Sequence, residues 1–237
     1  MRFISKRSRI QGLIEGDAVI LGNSLIGSRT LIGEGCIIGY PIRKTLKGVL
    51  SDPALRKIDL ALFDEKSNGS TIGSNAIVRS GSILYERTSL GDDVETGHHV
   101  LIREECKVGP QTRVGTNTVI DGHVNIGSNV NIQSGVYIPP GTTIGEGVFL
   151  GPYVVITNDL YPPSPKITGV TIKRGATIGA GSILIAGVTV GENAVVASGS
   201  IVTRDVPDDT VVKGCPSRSY MTRDEYNVKR AKYLKEP

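Results

Sequence analysis

The chain has 237 residues, a formal net charge of +4 at pH 7, no tryptophan and only three phenylalanines. This small positive surplus, without a stripe of basic and aromatic residues, argues against a nucleic-acid partner. The first seven residues lack the apolar core of a signal peptide, and no stretch is long and apolar enough to span a membrane. We therefore expect a cytoplasmic protein with no membrane partner.

Aliphatic side chains recur at every sixth residue through most of the chain. Neither an α-helix, with a period of 3.6, nor a half-buried strand, with a period of two, selects for six. A second series, four residues after the first, accepts only small or β-branched side chains; it includes Cys36 and Cys106, which we expect to be buried. Thr96 is the one exception in the middle of the first series. The aliphatic positions are Ile14, Ile20, Ile26, Ile32, Ile38, Ile72, Val78, Leu84, Leu90, Ile102, Val108, Val114, Ile120, Ile126, Ile132, Ile138, Ile144, Leu150, Ile156, Ile172, Ile178, Leu184, Val190, Val196 and Val202.

A hexapeptide repeat of this kind predicts an all-β fold, a parallel β-helix in which short strands stack around a narrow prism. Three hexapeptides complete one coil, so residues 18 apart share a column and lie about 4.8 Å from each other. Glycine often follows the aliphatic residue, as Gly73 and Gly91 do. Glycine suits a corner where a side chain would crowd the turn or where φ is positive.

The first break in the repeat covers about residues 40–71. Asp52 followed by Pro53 has the form of a helix N-cap with proline at the first helical position. Apolar residues follow at helical spacing and predict a short helix lying on the prism, with an irregular flap as the alternative. These residues are Leu55, Ile58 and Leu62.

The second break, at about residues 158–170, contains three prolines and an aromatic residue and is predicted to be a stiff excursion. Loops on rigid scaffolds often carry binding groups. The excursion leaves the corner that carries Ile120 and Ile138. His123 is therefore expected on the same edge as Asn158, two coils earlier and about 10 Å away.

A short C-terminal helix is predicted after the last repeat. Thr222 and Glu225 have the spacing of a capping box, and the helical pattern continues to Leu234. The domain organisation is then one β-helix over residues 1–221, with the two insertions, and a helical tail over 222–237. Because the ends of a solenoid need caps, we expect the tail mainly to cover the last coil.

Several stretches of residues 72–220 resemble the left-handed β-helix, hexapeptide-repeat acyltransferases. The likeness is greatest to sugar N-acetyltransferases that modify nucleotide-linked amino sugars. The stretches that carry the resemblance are 96–104 (TGHHVLIRE), 115–122 (GTNTVIDG), 131–139 (NIQSGVYIP), 149–152 (FLGP), 157–163 (TNDLYPP) and 214–218 (GCPSR).

The resemblance implies a single-stranded, left-handed β-helix, whereas general crossover statistics favour right-handed connections. It also implies a homotrimer, acetyl-CoA as donor, and active sites between neighbouring prisms. The expected activity is acetyl-CoA-dependent N-acetylation of a nucleotide-linked amino sugar in surface polysaccharide or glycan biosynthesis.

Histidine is the natural general base near neutral pH, and a hydroxyl acceptor would require one. The chain has three histidines, His98, His99 and His123. The first two lie at the corner where Thr96 breaks the aliphatic series, which favours a role at the substrate or CoA. The alternative for each is an exposed corner or trimer-packing residue without a catalytic role.

An amine acceptor needs less assistance, because hydrogen bonds that orient it can suffice. In that case Asn158 and Asp159 orient the amino sugar, and Tyr161 in the same excursion is a further substrate-binding candidate. Asn117 lies 18 residues after His99, so the two should stack on one edge, as part of a site or of an asparagine ladder. N-acetylation and O-acetylation both remain open at this point.

The last coils are the expected CoA site. Backbone amides at small-residue corners suit a pantetheine arm, and cations suit its phosphates. Solvated surface charge is the alternative role for each cation. The candidates are Gly179, Ala180, Ala186 and Gly187 at corners, and Lys213 and Arg218 near the end of the chain.

Three other functions compete with this interpretation. A sugar or small-molecule O-acetyltransferase is the nearest. A γ-class carbonic anhydrase shares the fold, but zinc needs three protein ligands, and adjacent His98 and His99 project differently from a corner while His123 lies further along; we expect no metal. A non-enzymatic β-helix scaffold is the third, and the proline-rich excursion argues against it.

Overall fold

The computed structural model describes residues 2–53 and 57–235, and they form the predicted parallel β-helix, built largely from two-residue strands. The strands before the first insertion are β1 (Phe3–Ile4), β2 (Arg9–Ile10), β3 (Leu13–Ile14), β4 (Val19–Ile20), β5 (Leu25–Ile26), β6 (Leu31–Ile32) and β7 (Ile37–Tyr40). Those between the insertions are β8 (Thr71–Ile72), β9 (Ile77–Val78), β10 (Ile83–Tyr85), β11 (Ser89–Leu90), β12 (Glu95–Thr96), β13 (Leu101–Ile102), β14 (Lys107–Val108), β15 (Arg113–Val114), β16 (Val119–Ile120), β17 (Asn125–Ile126), β18 (Asn131–Ile132), β19 (Tyr137–Ile138), β20 (Thr143–Ile144), β21 (Phe149–Leu150) and β22 (Val155–Ile156). The last strands are β23 (Thr171–Ile172), β24 (Thr177–Ile178), β25 (Ile183–Leu184), β26 (Thr189–Val190), β27 (Val195–Val196), β28 (Ile201–Val202), β29 (Thr210–Lys213) and β30 (Arg218–Thr222).

The strands stack into three sheets of 10, 9 and 11 members, here called sheets A, B and C. Every third strand from β1 to β28 belongs to sheet A, from β2 to β26 to sheet B, and from β3 to β27 to sheet C, which ends with β29 and β30. Pairing is parallel along the stack, and β30 then folds back antiparallel on β29. Edge AB consists of the corners that lead from sheet A to sheet B, such as residues 121–124. Edges BC and CA are named in the same way.

The aliphatic series forms the core, because each member is the inward-facing second residue of its strand. Ile102, Ile120 and Ile138 stack at intervals of 18 residues and are fully buried. Thr96 is equally buried, and its hydroxyl accepts a hydrogen bond from the backbone N–H of Arg79 at 3.0 Å. Threonine in place of an aliphatic residue at this position therefore does not disturb the coil.

The second series is also buried, which confirms the prediction for Cys36 and Cys106. Burial raises the pKa of both thiols, that of Cys106 to about 11. Polar members of the series bond to backbone carbonyls, as the hydroxyl of Thr118 does with Gln133 at 3.1 Å. These positions therefore fill the inside of the corners without leaving a polar group unpaired.

The corner glycines avoid a steric clash rather than permit an unusual backbone conformation. A Cβ added to Gly91 would lie 2.7 Å from the backbone nitrogen of Pro110 in the next coil. Positive φ instead occurs two residues later, at Asp93 (58°), as it does at Asn75 (59°). Asn and Asp tolerate this conformation better than most residues. Of the two reasons predicted for glycine, crowding is the correct one.

The first insertion contains two helices, α1 (Arg43–Leu50) and α2 (Leu60–Lys66). The predicted helix start at Asp52 is wrong for α2. Its N-cap is Asp59, whose carboxylate accepts the otherwise unpaired N–H of Leu62 at 3.1 Å. Ile58 precedes the helix, and Leu55 lies outside the described residues.

A buried carboxylate ties both ends of this insertion to the β-helix. Glu86 is fully buried and accepts hydrogen bonds from the backbone N–H of Ile42 at 3.0 Å and of Asn68 at 2.8 Å. The side-chain amide of Asn68 adds a third at 2.6 Å. On α2, Asp64 accepts the backbone N–H of Gly22 at 2.7 Å. The insertion is thus fixed against several coils.

The tail begins with the predicted capping box and continues as α3 (Arg223–Tyr233). The hydroxyl of Thr222 accepts the N–H of Glu225 at 3.2 Å, and the Glu225 carboxylate accepts the N–H of Thr222 at 2.7 Å. Within residues 2–53 and 57–235, no helix has the length and apolar character needed to cross a membrane.

Candidate functional site

Both insertions leave the β-helix at edge AB. The first lies between β7 of sheet A and β8 of sheet B, and the second between β22 of sheet A and β23 of sheet B. Four uninterrupted corners lie between them, at residues 85–88, 103–106, 121–124 and 139–142. At about 4.8 Å per coil, the first and last corners are about 15 Å apart. Edge AB therefore presents four stacked corners with an inserted segment at each end.

These four corners also lack the glycine that follows the buried aliphatic residue elsewhere. On the other two edges, glycine commonly follows the buried aliphatic residue, whereas Tyr85, Arg103, Asp121 and Pro139 occupy the same position on edge AB. Sequence reasoning missed these residues. The available signal was the loss of glycine at every third corner, which gives one edge a chemistry that the others lack.

Arg103 joins two carboxylates on edge AB. Its Nη1 donates to Oδ1 of Asp121 at 2.7 Å, and its Nη2 donates to Oε1 of Glu104 at 2.9 Å. The phenol of Tyr137 donates to Oδ2 of Asp121 at 2.9 Å. These four residues are here called the Arg103 cluster. The guanidinium also lies 5.6 Å from the ring centroid of Tyr85.

Tyr137 in the cluster and Tyr85 beside it remain neutral, and Tyr85 connects the cluster to the first insertion. Burial and the hydrogen bond to Asp121 raise the pKa of Tyr137 to about 12, so its phenol is a hydrogen-bond donor at neutral pH. Burial also raises the pKa of Tyr85. The Tyr85 ring meets that of Tyr40 edge-on at 5.2 Å, and Tyr40 meets Phe63 of α2 at 6.0 Å.

His123 and Asn158 lie on edge AB, as predicted. His123 is exposed with φ of 51°, and its carbonyl accepts the N–H of Gly141, one coil later, at 3.2 Å. Nδ2 of Asn158 donates to the carbonyl of Pro140 at 3.2 Å, in the coil before the excursion. The two candidates are thus two coils, or about 10 Å, apart along the edge.

Asp159 organises its own loop. Oδ1 accepts the backbone N–H of Tyr161 at 3.1 Å, and Oδ2 accepts that of Ser164 at 2.8 Å. Such bonds are typical of an Asx turn. The side chain of Tyr161 is 81% exposed. The contacts favour a loop-positioning role for Asp159, and contact of either residue with an acceptor stays a prediction.

His98, His99 and Asn117 lie on edge CA. Both histidines are exposed, with ring centroids 6.5 Å apart. The backbone N–H of Asn117 donates to the carbonyl of His98 at 3.0 Å, which confirms the predicted stacking. The His99 ring lies over Gly81 of the preceding coil, where an added Cβ would overlap the imidazole.

The three histidines therefore occupy two edges of the prism, at opposite margins of sheet A. In the part of the chain that the structure describes, no group of three or more His, Cys, Asp or Glu residues is arranged to hold a metal ion. Within one subunit, the histidines do not converge on one site.

A groove of about 550 Å³ lies on sheet C beside α3 and includes two predicted CoA residues, Gly179 and Lys213. Nζ of Lys213 is 3.3 Å from the ring centroid of Tyr220, and Nζ of Lys229 is 5.5 Å from it. An aromatic ring among cations suits a nucleotide with its phosphates. Sequence reasoning treated the tail mainly as a cap and missed these aromatic lining residues, which are Tyr220, Tyr226 and Tyr233.

The other predicted CoA residues lie outside this groove. Ala180 is exposed on edge CA beside Gly179, whereas Ala186 and Gly187 lie on edge AB. Arg218 pairs with Lys213 across the β29–β30 hairpin, and its Nη1 donates to a neighbouring backbone carbonyl at 2.9 Å. One subunit does not bring all six candidates together.

Residues 123–158 and 169–204 match the family model described as bacterial transferase hexapeptide, six repeats. The chain therefore contains hexapeptide repeats. The match confirms the repeat predicted from the sequence. The first matched segment begins at His123.

The hexapeptide-repeat protein has no match among curated proteins. It is similar to a solved hexapeptide-repeat acetyltransferase from Vibrio cholerae, with 26% identity over 56% of this chain and 72% of that chain and a TM-score of 0.38. Perosamine N-acetyltransferase from Caulobacter crescentus, solved with CoA and GDP-perosamine, has 20% identity over 62% of this chain and 56% of that chain, with a TM-score of 0.42. UDP-N-acetylglucosamine O-acyltransferase from Moraxella catarrhalis has 17% identity over 97% of this chain and 76% of that chain, with a TM-score of 0.46.

Proposed function

We propose that this hexapeptide-repeat protein is an acetyl-CoA-dependent acetyltransferase acting on an amine of a nucleotide-linked sugar. The observation that carries the proposal is the position of the transferase repeats. They run through the coils that hold His123, Asn158 and Gly179, which are candidates for the base, the acceptor and CoA respectively. The aromatic and cationic groove on sheet C then supplies partners for the nucleotide end of CoA.

In this reaction the amine nitrogen bonds to the acetyl carbonyl carbon, the carbon–sulfur bond of the thioester breaks, and CoA leaves as the thiol. The amine loses one proton, which an exposed imidazole near neutral pH is suited to accept and then to donate to the departing sulfur. Backbone N–H groups at a rigid corner suit the oxyanion that forms on the carbonyl oxygen. No metal is needed in this scheme.

The outer face of sheet A favours a homotrimer. In each of its ten strands, the outward residue is apolar or aromatic, whereas sheet B presents mainly polar residues. A continuous apolar face of this kind marks an interaction surface. The outward residues of sheet A are Phe3, Val19, Ile37, Ile83, Leu101, Val119, Tyr137, Val155, Ile183 and Ile201.

With sheet A toward a three-fold axis, the two dispersed groups of candidates meet. Cyclic symmetry makes each contact heterologous, so edge AB of one subunit lies against edge CA of the next. His123 and Asn158 of one subunit then face His98, His99 and Asn117 of its neighbour. Ala186 and Gly187 likewise approach the neighbouring Gly179 and Ala180 corner.

The proposal treats residues 1–221, with both insertions, as the catalytic β-helix and residues 222–237 as a tail that caps it and lines the CoA groove. It places the protein in the cytoplasm. The free cysteines Cys36, Cys106 and Cys215 agree with a reducing compartment.

A turnover screen tests the function directly. Acetyl-CoA is offered with nucleotide-linked sugars that carry an amine at C2, C3 or C4, and each is matched with the sugar that has a hydroxyl at that carbon. We expect CoA release with an amine acceptor only. Release with the hydroxyl partner instead would assign O-acetylation.

Calorimetric titration with CoA and elemental analysis complete this test. CoA should bind without stoichiometric metal, and Lys213→Ala should weaken binding by about 10- to 100-fold, because a charged hydrogen bond contributes about 1.5–3 kcal/mol. Stoichiometric zinc in a protein that does not bind CoA would overturn the proposal.

Charging the face of sheet A should dissociate the trimer. Sedimentation equilibrium of the wild-type protein should return about three times the chain mass of 25.1 kDa. Leu101→Glu should return one chain mass, because a carboxylate in an apolar interface loses its hydration. Asn125→Glu, at an exposed outward position on sheet B, is the matched control and should remain trimeric. A wild-type monomer would contradict the assembly.

A further inference from the structure

The Arg103 cluster is a half-buried polar site that the proposed function has not yet used. It lies on edge AB between the two insertions and includes Asp121, two residues before His123. The side-chain exposures are 30% for Arg103, 14% for Glu104 and 24% for Asp121, so the groups are held against the protein but reach solvent. A ligand on the edge therefore has access to them.

The charge of the cluster disfavours a phosphate as its ligand. One guanidinium faces two carboxylates, and the phenol of Tyr137 is neutral, so the formal charge is −1. A phosphate would be repelled, whereas an ammonium group would be attracted. The nucleotide part of an acceptor thus has no partner here, and its amino sugar does.

Unused hydrogen-bonding capacity points to the same class of ligand. Arg103 has five N–H donors and uses three of them, two on Glu104 and one on Asp121. Each carboxylate oxygen can accept a further bond. Donors and acceptors that lie side by side match sugar hydroxyls, which both donate and accept. The ring of Tyr85, next to the guanidinium, adds an apolar face for the carbon–hydrogen side of a sugar ring.

The spacing along the edge also fits. Asn158 stacks two coils above the residue that follows Asp121. Asp121 and Asn158 are therefore about 10 Å apart along the edge. A single pyranose ring with its substituents spans that interval. A sugar held by Asp121 therefore lies beside His123 and below the Asn158 excursion.

We propose that the Arg103 cluster binds the amino-bearing sugar ring of the acceptor. Asp121 receives the amino group, which binds as ammonium and loses one proton to solvent before the free amine attacks, and Arg103 and Tyr137 hold the Asp121 carboxylate in place. This inference rests on the proposed function, since it names the part of the acceptor that edge AB recognises. Asp121 is a substrate-binding residue in this scheme. Tyr137 is a positioning residue, and Arg103 both positions Asp121 and donates its unused N–H groups to sugar hydroxyls.

The test uses the full-length protein and the variants Asp121→Asn and Tyr137→Phe, which change no side-chain volume substantially. The probes are UDP-linked sugars with an amine at C2, C3 or C4 and their hydroxyl counterparts. Binding is measured by calorimetry without acetyl-CoA, and turnover is measured separately. The control is Glu146→Gln, which replaces an exposed carboxylate on edge BC with a carboxamide.

In Asp121→Asn the KM for the amino sugar should rise about 10- to 100-fold, as expected for loss of a charged hydrogen bond, while the KM for acetyl-CoA is unchanged. The preference for amine over hydroxyl should disappear in binding. Tyr137→Phe should raise the acceptor KM by a smaller factor, about 3- to 10-fold, and retain the preference.

The outcomes separate this inference from the proposed function. Acetyl transfer with wild-type acceptor KM in both variants would overturn the inference and leave the function standing. Amino-sugar binding that is lost in Asp121→Asn, in a protein that transfers no acetyl group, would support the inference and overturn the function. Dissociation of the trimer in Asp121→Asn would assign the cluster to the interface and overturn the inference.

Discussion

One of the three single variants His98→Ala, His99→Ala and His123→Ala is expected to lower kcat by about 10²- to 10⁴-fold, the usual contribution of a general base. The other two should lose less than about tenfold, because an acceptor amine has one proton to transfer. All three side chains are exposed, so folding should be unaffected. Steady-state kinetics at saturating acetyl-CoA, with circular dichroism of each variant, measures the effect.

Gly81 provides an independent check on His99. Gly81→Ala adds a Cβ that would overlap the His99 imidazole, and the ring must move. If His99 is the base, Gly81→Ala should reduce kcat as far as His99→Ala does. Gly35→Ala is the matched control, since Gly35 has a similar φ of 69°, against 74° for Gly81, and its added Cβ has no atom nearer than 3.9 Å. Wild-type kcat in all three histidine variants would exclude an imidazole base.

Mixing two inactive variants should restore about a quarter of wild-type activity, because each proposed site joins edge AB of one subunit to edge CA of the next. The edge AB variant is His123→Ala with Asn158→Ala. The edge CA variant is Ala180→Trp, which places a bulky ring at an exposed corner in the proposed CoA path. If His123 is the base, the edge AB variant alone should retain less than about 1% of kcat, and the edge CA variant should be similarly inactive because its donor path is blocked. When both variants are expressed equally and assemble at random, half of the subunits have an intact edge AB and half have an intact edge CA. A site needs an intact edge from each of two neighbours, so about one site in four is complete.

Two differently tagged copies of the edge CA variant serve as the control for this experiment and should recover no activity. A mixture that shows only the sum of its two components would mean that each site lies within one subunit. In that case sheet A would not face the three-fold axis.

The β-helix was predictable because its determinants are periodic. Burial in a column of residues 18 apart requires one aliphatic side chain per strand. Ile102, Ile120 and Ile138 meet this requirement in three successive coils, so the pattern repeats and is easily recognised. The tail helix was predictable because its capping box is local. The first insertion was not, since Asp52 and Asp59 are both plausible caps, and the contacts of Asp64 and Glu86 that fix α2 come from distant residues.

The candidate site was predictable only in part. Counting in steps of 18 placed His123 and Asn158 on one edge and Asn117 on the edge of His99, and these placements are confirmed. The Arg103 cluster depends on how Tyr137, an outward strand residue, reaches over to a corner carboxylate. No period encodes such a contact. The face proposed for the trimer contact likewise follows from comparing whole sheets rather than from any motif.

Because both insertions interrupt the chain at edge AB, the buried core residues pair across them in the same register, although the end of β7 is bulged where it pairs with β10. Ile26 pairs with Ile72 across the first, and Ile144 with Ile172 across the second. At many corners of the other edges a glycine lies so close to the next coil that an added Cβ would clash, as at Gly91 against Pro110. An inserted segment of new length or composition at edge AB can therefore be accommodated without changing the pairing of the core strands, and under the proposed function such a change would alter the acceptor pocket while leaving the outer faces of the three sheets as they are.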